Sequence, residues 1–126
     1  VAGFLTEDAV GYVVELDGAR IYHSGDTEYD RTLLVATEAR SLTAALVCIN
    51  GSGGNMNAIE AAVLVAQLSP MMAIPMHFGL WVKGPADLDD QHMVSEFVSR
   101  LERLDARIAT RVPSLDGPIV LHPRLE

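Results

Sequence analysis

The apolar positions of this chain fall into short runs separated by turn residues. Val10 to Leu16 (VGYVVEL) is rich in β-branched residues and is followed by Asp17-Gly18, a dipeptide suited to a tight hairpin turn. Ala19 to His23 (ARIYH) continues as the second arm, so the pattern predicts a hairpin that leads into the loop SGDT. Tyr29 to Ala39 reads as a helix with Asp30 near its start. Ala44 to Asn50 (AALVCIN) is almost continuously apolar, the pattern of a strand buried on both faces.

The segment GSGGNMN is a glycine-rich loop. Asn57 then reads as a helix N-cap, with Glu60 three residues later as its capping-box partner. Ala58 to Leu68 is apolar on nearly every side, which predicts a deeply packed helix stopped by Ser69-Pro70. Met71 to Met76 predicts another buried strand that ends at His77, followed by a loop over Phe78 to Ala86. A third helix, capped by Asp87 or Asp89, places Met93, Phe97, Leu101 and Leu104 on one face. Glu96, Arg100, Glu102 and Arg103 form its solvated side. Arg107 to Val112 and Pro118 to Leu121 are expected to close the chain as short strands about an Asp116-Gly117 turn. Strands alternate with helices, so the class is α/β, with residues 1–126 as a single domain and no repeat or linker.

Charge narrows the partners. Asp plus Glu number 17 against 9 Lys plus Arg, a net charge of −8. That balance argues against nucleic acid or an anionic membrane, both of which reward clustered cations. No signal peptide and no apolar stretch of membrane-spanning length is visible. The single cysteine, Cys48, lies in an apolar run and reads as a small buried side chain in a reducing, cytoplasmic setting. The first residue is Val1, and the opening VAGFLTEDAVG reads like the middle of a longer protein. The closing Leu125-Glu126 reads as a cloning scar or an ordinary dipeptide.

Two residues stand out chemically. Asp26 follows Gly25 directly after a strand, and His77 follows Pro75-Met76 at the end of another. In α/β sheets the strand ends are where sites form. Taken singly, Asp26 is more simply a turn or cap residue and His77 a hydrogen-bonded structural histidine. Together, on neighbouring strand ends, a carboxylate and an imidazole could converge on one divalent metal. His23 is a polar strand-end residue or a supporting partner of Asp26, His92 is expected on an exposed helix face, and His122 has no assigned role. Asn55 and Asn57 are candidates for the pocket wall, with the helix cap the better-supported role for Asn57, and Trp81 is either a wall residue or ordinary loop packing or edge cover. Gly51, Gly53 and Gly54 form a plain turn or, less simply, a cradle for an anion.

The segments VGYVVELDGARIYHSGDT, INGSGGNMNAIEAAVLVAQLSP and MMAIPMHFGLW resemble the second half of the metallo-β-lactamase superfamily. The likeness runs from Asp8 to Trp81 and is closest to the lactonase-like branch that includes L-ascorbate-6-phosphate lactonase. The resemblance implies half of a four-layer αββα sandwich, a mixed sheet with helices on one face. It implies Asp26 as the aspartate that bridges two metal ions, with a catalytic part, and His77 as a ligand of one of them. Manganese or zinc would be the cofactor, and a metal-held hydroxide would attack an ester, lactone or phosphoester of a small molecule. The superfamily motif H-x-H-x-D-H belongs to the first half and has no counterpart here. Two ligands do not hold a binuclear site.

The chain alone is therefore expected to be inactive, its site completed by a missing N-terminal half. A rival reading is a non-catalytic half-domain that assembles as a homodimer through its open sheet face. A doubly wound domain without metal is a third reading, disfavoured by the opening hairpin.

Overall fold

The computed structural model describes residues 11–31, 34, 41–79 and 87–123. Among the described residues five strands and two helices follow one another as β1 (Tyr12–Leu16), β2 (Ala19–His23), β3 (Ala44–Cys48), α1 (Ala58–Leu68), β4 (Met72–Met76), α2 (Asp87–Leu104) and β5 (Ala109–Thr110). They form one mixed sheet in the order β1-β2-β3-β4-β5. The β1–β2 hairpin is antiparallel, and every later pairing is parallel. The mixed sheet with helices agrees with the expected class.

Local chemistry explains the best-defined elements. Asp17 and Gly18 both have left-handed backbones, φ 49° and 80°, the geometry of a two-residue hairpin turn that follows the twist of its strands. Helix α1 starts at a complete capping box. The Asn57 side chain accepts the Glu60 N–H at 2.9 Å, and the Glu60 carboxylate accepts the Asn57 N–H at 3.1 Å. At its other end Ser69, at φ 50°, closes the helix with its N–H donating to the Val65 carbonyl.

Register decides which face is covered. Tyr22, Ala45 and Ala73 are paired across β2, β3 and β4. With Val47 they join Ala61, Leu64, Val65, Phe97 and Leu101 in one buried cluster beneath the helices. Helices α1 and α2 also pack on each other. Successive parallel strands added in one direction with right-handed crossovers place their helices on a common face. The opposite face is open toward the hairpin, where Tyr12, Val14 and Leu16 are 62%, 51% and 66% exposed. At its centre that face is buried at Ala44 and Ile74.

Pro75 lies buried inside β4, an unusual place for a residue without an N–H. The register removes the difficulty. Strand β5 pairs only with Met72 and Ala73, so beyond Ala73 one edge of β4 has no strand partner among the described residues. The Ala73 carbonyl faces β5 and accepts from Arg111, whereas the Met76 carbonyl faces β3 and accepts from Ile49. By alternation Pro75 faces the unpaired edge and breaks no ladder bond.

The structure corrects several boundaries. Strand β3 stops at Cys48 rather than Asn50, β4 begins at Met72, and the strand expected over Arg107 to Val112 shrinks to Ala109–Thr110. Pro118 to Leu121 is not a strand; an isolated Ser114–Gly117 bridge stands before it. With Pro118 and Pro123 lacking donors, the segment finds no ladder to join. Tyr29 and Asp30 are outside any helix, and most of the helix expected after them lies outside the described residues, as do Trp81 and Val10. Leu104, expected to face inward, is 47% exposed, because it ends α2 past the part that covers the sheet. The expected caps Asp87 and Asp89 have no described side-chain placement.

Candidate metal centre

The C-terminal ends of β2, β3 and β4 share one rim of the sheet, and each continues into a loop held by specific bonds. After β2, Ser24 extends the ladder through its N–H to the Leu46 carbonyl at 2.9 Å. Its buried hydroxyl accepts the Cys48 N–H at 3.1 Å and donates to the Gly25 carbonyl at 3.0 Å. Gly25, at φ 64°, then turns the chain. The Thr27 carbonyl accepts from the Met56 N–H at 2.8 Å and from the Cys48 thiol at 3.5 Å. Asp26 is thus fixed between two anchors while its own side chain stays 70% exposed.

After β3 the chain enters the glycine loop. Gly51, at φ 64°, donates to the Met56 carbonyl at 3.0 Å, and the Asn55 N–H donates to the Ser52 carbonyl at 3.1 Å. Met56 is fully buried, so the loop is pinned to the core at its far end. These bonds occupy the Gly51 and Asn55 N–H groups internally, which favours a structural turn over an anion cradle. The fold of the loop returns Asn55 to the rim, where its Nδ2 lies 3.1 Å from Asn50 Oδ1 and 3.4 Å from His77 Nδ1.

After β4 comes His77, with a left-handed backbone at φ 60°. Such geometry is uncommon for a residue with a Cβ and costs about 1–3 kcal/mol unless its surroundings hold it. The turn aims the imidazole along the rim. His77 Nδ1 stands 3.1 Å from Asp26 Oδ1 with the side chain 24% exposed. The two residues that the sequence singles out therefore meet in space.

The other histidines do not join them. His23 is exposed, and its Nδ1 accepts the Gly25 N–H at 3.0 Å, a local turn bond. His92 is exposed on α2 and lies 3.9 Å from Glu96. His122 is exposed. Asn57 serves as the helix cap, and Cys48 is buried. Asn55 was legible only as a possible wall residue; its contact with His77 depends on how the glycine loop folds back.

A carboxylate oxygen and an imidazole nitrogen 3.1 Å apart fit as neighbouring ligands of one divalent ion. Metal–ligand bonds of about 2.0–2.2 Å at near-tetrahedral angles separate adjacent donors by about 3.3–3.6 Å. Among the described residues, no group of three or more His, Cys, Asp and Glu could hold a metal ion. Asp26 and His77 thus fit one side of a metal centre, and a full coordination shell needs further ligands from beyond the described residues.

The family described as the beta-lactamase superfamily domain matches residues 2–77. That covers the hairpin, the Asp26 loop, the glycine loop and His77, and the chain belongs to this metallo-β-lactamase superfamily. A protein of Thermococcus onnurineus named UPF0173 metal-dependent hydrolase is 38% identical over 84 residues, covering 66% of this chain and 37% of the relative. A UPF0173 metal-dependent hydrolase of Symbiobacterium thermophilum is 33% identical over 118 residues, 91% of this chain and 46% of the relative. The chain thus spans less than half the length of these relatives.

Solved structures show the same fold. Igni18, described as a novel metallo hydrolase from Ignicoccus hospitalis, superimposes with a TM-score of 0.69 at 24% identity, over 89% of this chain and 45% of that one. The metallo-beta-lactamase fold protein YhfI from Bacillus subtilis gives a TM-score of 0.60 at 9% identity, over 82% of this chain and 40% of that one.

Proposed function

We propose that this chain carries the C-terminal half of a lactonase-like, metal-dependent hydrolase, and that Asp26 and His77 are its share of the metal centre. The observation that carries the reading is the 3.1 Å approach of Asp26 Oδ1 to His77 Nδ1 at the C-terminal rim, made by a histidine in a costly backbone conformation. Membership of the superfamily and similarity to proteins named metal-dependent hydrolases support it.

Asp26 and His77 would hold a divalent ion, manganese or zinc, through a carboxylate oxygen and an imidazole nitrogen. The ion would supply acidification of a water molecule and polarisation of an ester, lactone or phosphoester oxygen. This chain's own part is to present one carboxylate and one imidazole at fixed separation. Asn55 lines the same rim beside them. The substrate class is a small molecule. The described residues provide two ligands; in this reading an N-terminal half completes the site, and the chain without it is inactive.

Purified chain incubated with manganese or zinc should show no turnover of lactone or phosphodiester substrates. Robust hydrolysis abolished by Asp26→Ala would overturn the claim that a second half is required. Calorimetric titration with either metal should give a weak binding event lost in both Asp26→Ala and His77→Ala. A binding curve indifferent to both substitutions would remove Asp26 and His77 from the centre.

The exposed apolar row Tyr12, Val14 and Leu16 favours a second reading, in which two copies cover each other's open faces as a non-catalytic homodimer. Light scattering separates the two: a strict monomer with a cooperative thermal transition counts against self-assembly.

A further inference from the structure

We infer that residues 118–123 are a strap laid across the open face of the sheet, an autoinhibitory contact that keeps a second copy of this chain off that face. Its effect on assembly rests on the homodimer reading; its place on the sheet does not. Register pairs Ile21 with Ala44, Ala44 with Met72 and Leu46 with Ile74. By alternation these side chains point away from the Tyr22, Ala45 and Ala73 row beneath the helices. Ala44 is nevertheless 0% and Ile74 7% exposed, and neither belongs to the buried cluster that the helices cover. A cover other than α1 and α2 lies over the centre of this face.

The chain after β5 supplies it. Strand β5 stands at one edge of the sheet. The Arg111 N–H, donating to the Ala73 carbonyl at 3.0 Å, is the last backbone tie of the chain to a strand among the described residues. The Ser114–Gly117 bridge then closes a tight turn. At the far end Pro123 sits against the β1–β2 turn, its Cβ 3.6 Å from where a Cβ of Gly18 would stand. The segment thus passes from one edge of a five-stranded sheet to the other, about 19 Å at the usual strand spacing. Residues 118–123, extended, reach about 20 Å. One face is filled by α1 and α2, which leaves the open one. Ile119 and Leu121 are half-buried while Val120 between them is 64% exposed, the two-residue alternation of an extended chain lying on a surface.

Side chains alone hold the strap. Pro118 and Pro123 have no N–H, and among the described residues no backbone hydrogen bond joins 118–123 to a strand. With the strap lifted, Ala44, Leu46 and Ile74 join the exposed Tyr12, Val14 and Leu16 in one apolar face. A bare apolar face of that extent favours association, and two identical faces meet about a twofold axis. While the strap is down the centre is taken. A second copy then binds only the strap-up fraction, and the apparent dissociation constant rises by the inverse of that fraction.

Methyl NMR of the full chain reads the strap directly. Nuclear Overhauser contacts should run from the Ile74 methyls to those of Ile119 or Leu121, and their absence overturns the inference. Ile119→Asp with Leu121→Asp puts charge on the two inward positions and should lift the strap. Val120→Asp, on the outward position, should leave it down. A dilution series in light scattering should then give the double variant a dimer dissociation constant at least about tenfold below that of the parent, with Val120→Asp close to the parent. Added negative charge opposes association of a chain already at −8, so tighter pairing must come from the bared face. Equal constants in parent and double variant, no dimer in either, or an equal gain in Val120→Asp would overturn the inhibitory role, while the Overhauser contacts still decide the strap. Ile119→Ala with Leu121→Ala carries the comparison should the aspartates unfold the chain.

Discussion

His77 reaches to 3.1 Å from Asp26 only because its own backbone is left-handed, at φ 60°, one residue beyond the end of β4. Site geometry and local strain are therefore carried by the same residue. A Cβ in this region costs about 1–2 kcal/mol, which glycine escapes. His77→Gly should consequently be more stable than His77→Ala by about 1 kcal/mol, the reverse of the usual order in ordered backbone. Urea unfolding of the two variants measures the difference. Alanine equal to or better than glycine would show that the turn is not strained.

Ser24 holds the loop before Asp26 from inside the protein. Its hydroxyl is buried and takes the Cys48 N–H at 3.1 Å. Ser24→Ala leaves that N–H, in the middle of the rim, without its acceptor. A buried donor stripped of its partner costs about 1–3 kcal/mol. Chemical denaturation should show a loss in that range, and hydrogen exchange at Cys48 should accelerate more than at Val47. Ser24→Ala should also loosen Asp26, visible as weaker metal binding with His77 unchanged.

How much of this was legible in the sequence depended on the range of the interactions. The Asp17-Gly18 turn and the Asn57–Glu60 capping box are closed by neighbours in the chain, and both were readable from residue type and spacing. The nearness of Asp26 and His77 was expected from strand-end placement together with a family resemblance, since no spacing rule links residues so far apart. Three features had no local signal. The bond from Cys48 to Ser24, the return of Asn55 to His77 and the left-handed turn at His77 all arise only once β2, β3 and β4 lie side by side. The Pro118 to Leu121 strand failed for the complementary reason: apolar residues alone do not make a strand where no neighbour offers a ladder.

Tyr22 is buried under the helices, and its hydroxyl has no hydrogen-bond partner among the described residues. Burial, aided by the nearby Cys48, pushes its phenol up from 10.0 to about 12. The folded state then holds a proton that the unfolded state releases, so stability falls as pH climbs from 10.0 toward about 12. Tyr22→Phe should remove this alkaline loss. At neutral pH it should also stabilise the fold by about 1 kcal/mol, since an unpaired buried hydroxyl is replaced by hydrogen. Thermal melts of both proteins across the alkaline range test the two effects. A destabilised phenylalanine variant would mean that the hydroxyl is satisfied.

Gly51 is the position where the rim tolerates no side chain. Its φ of 64° is left-handed, and a Cβ built there would lie 3.1 Å from the Asn57 Cβ and 3.4 Å from the Asn57 Cα. Asn57 is the cap of α1 and cannot give way without loosening its bond to the Glu60 N–H. Gly51→Ala therefore combines backbone strain with a crowded contact, a loss of about 1–3 kcal/mol. Gly53, also at φ 64°, has nothing within 4 Å of its would-be Cβ. Gly53→Ala then suffers the backbone cost alone and should be milder by denaturant unfolding. The two variants should differ more sharply in the site. Gly51→Ala displaces the strand end that carries Asn50, so the His77 ring resonances should change, whereas Gly53→Ala should leave them close to those of the parent. Equal perturbation by both would mean that the loop reaches His77 through its general flexibility and not through the Asn50 end.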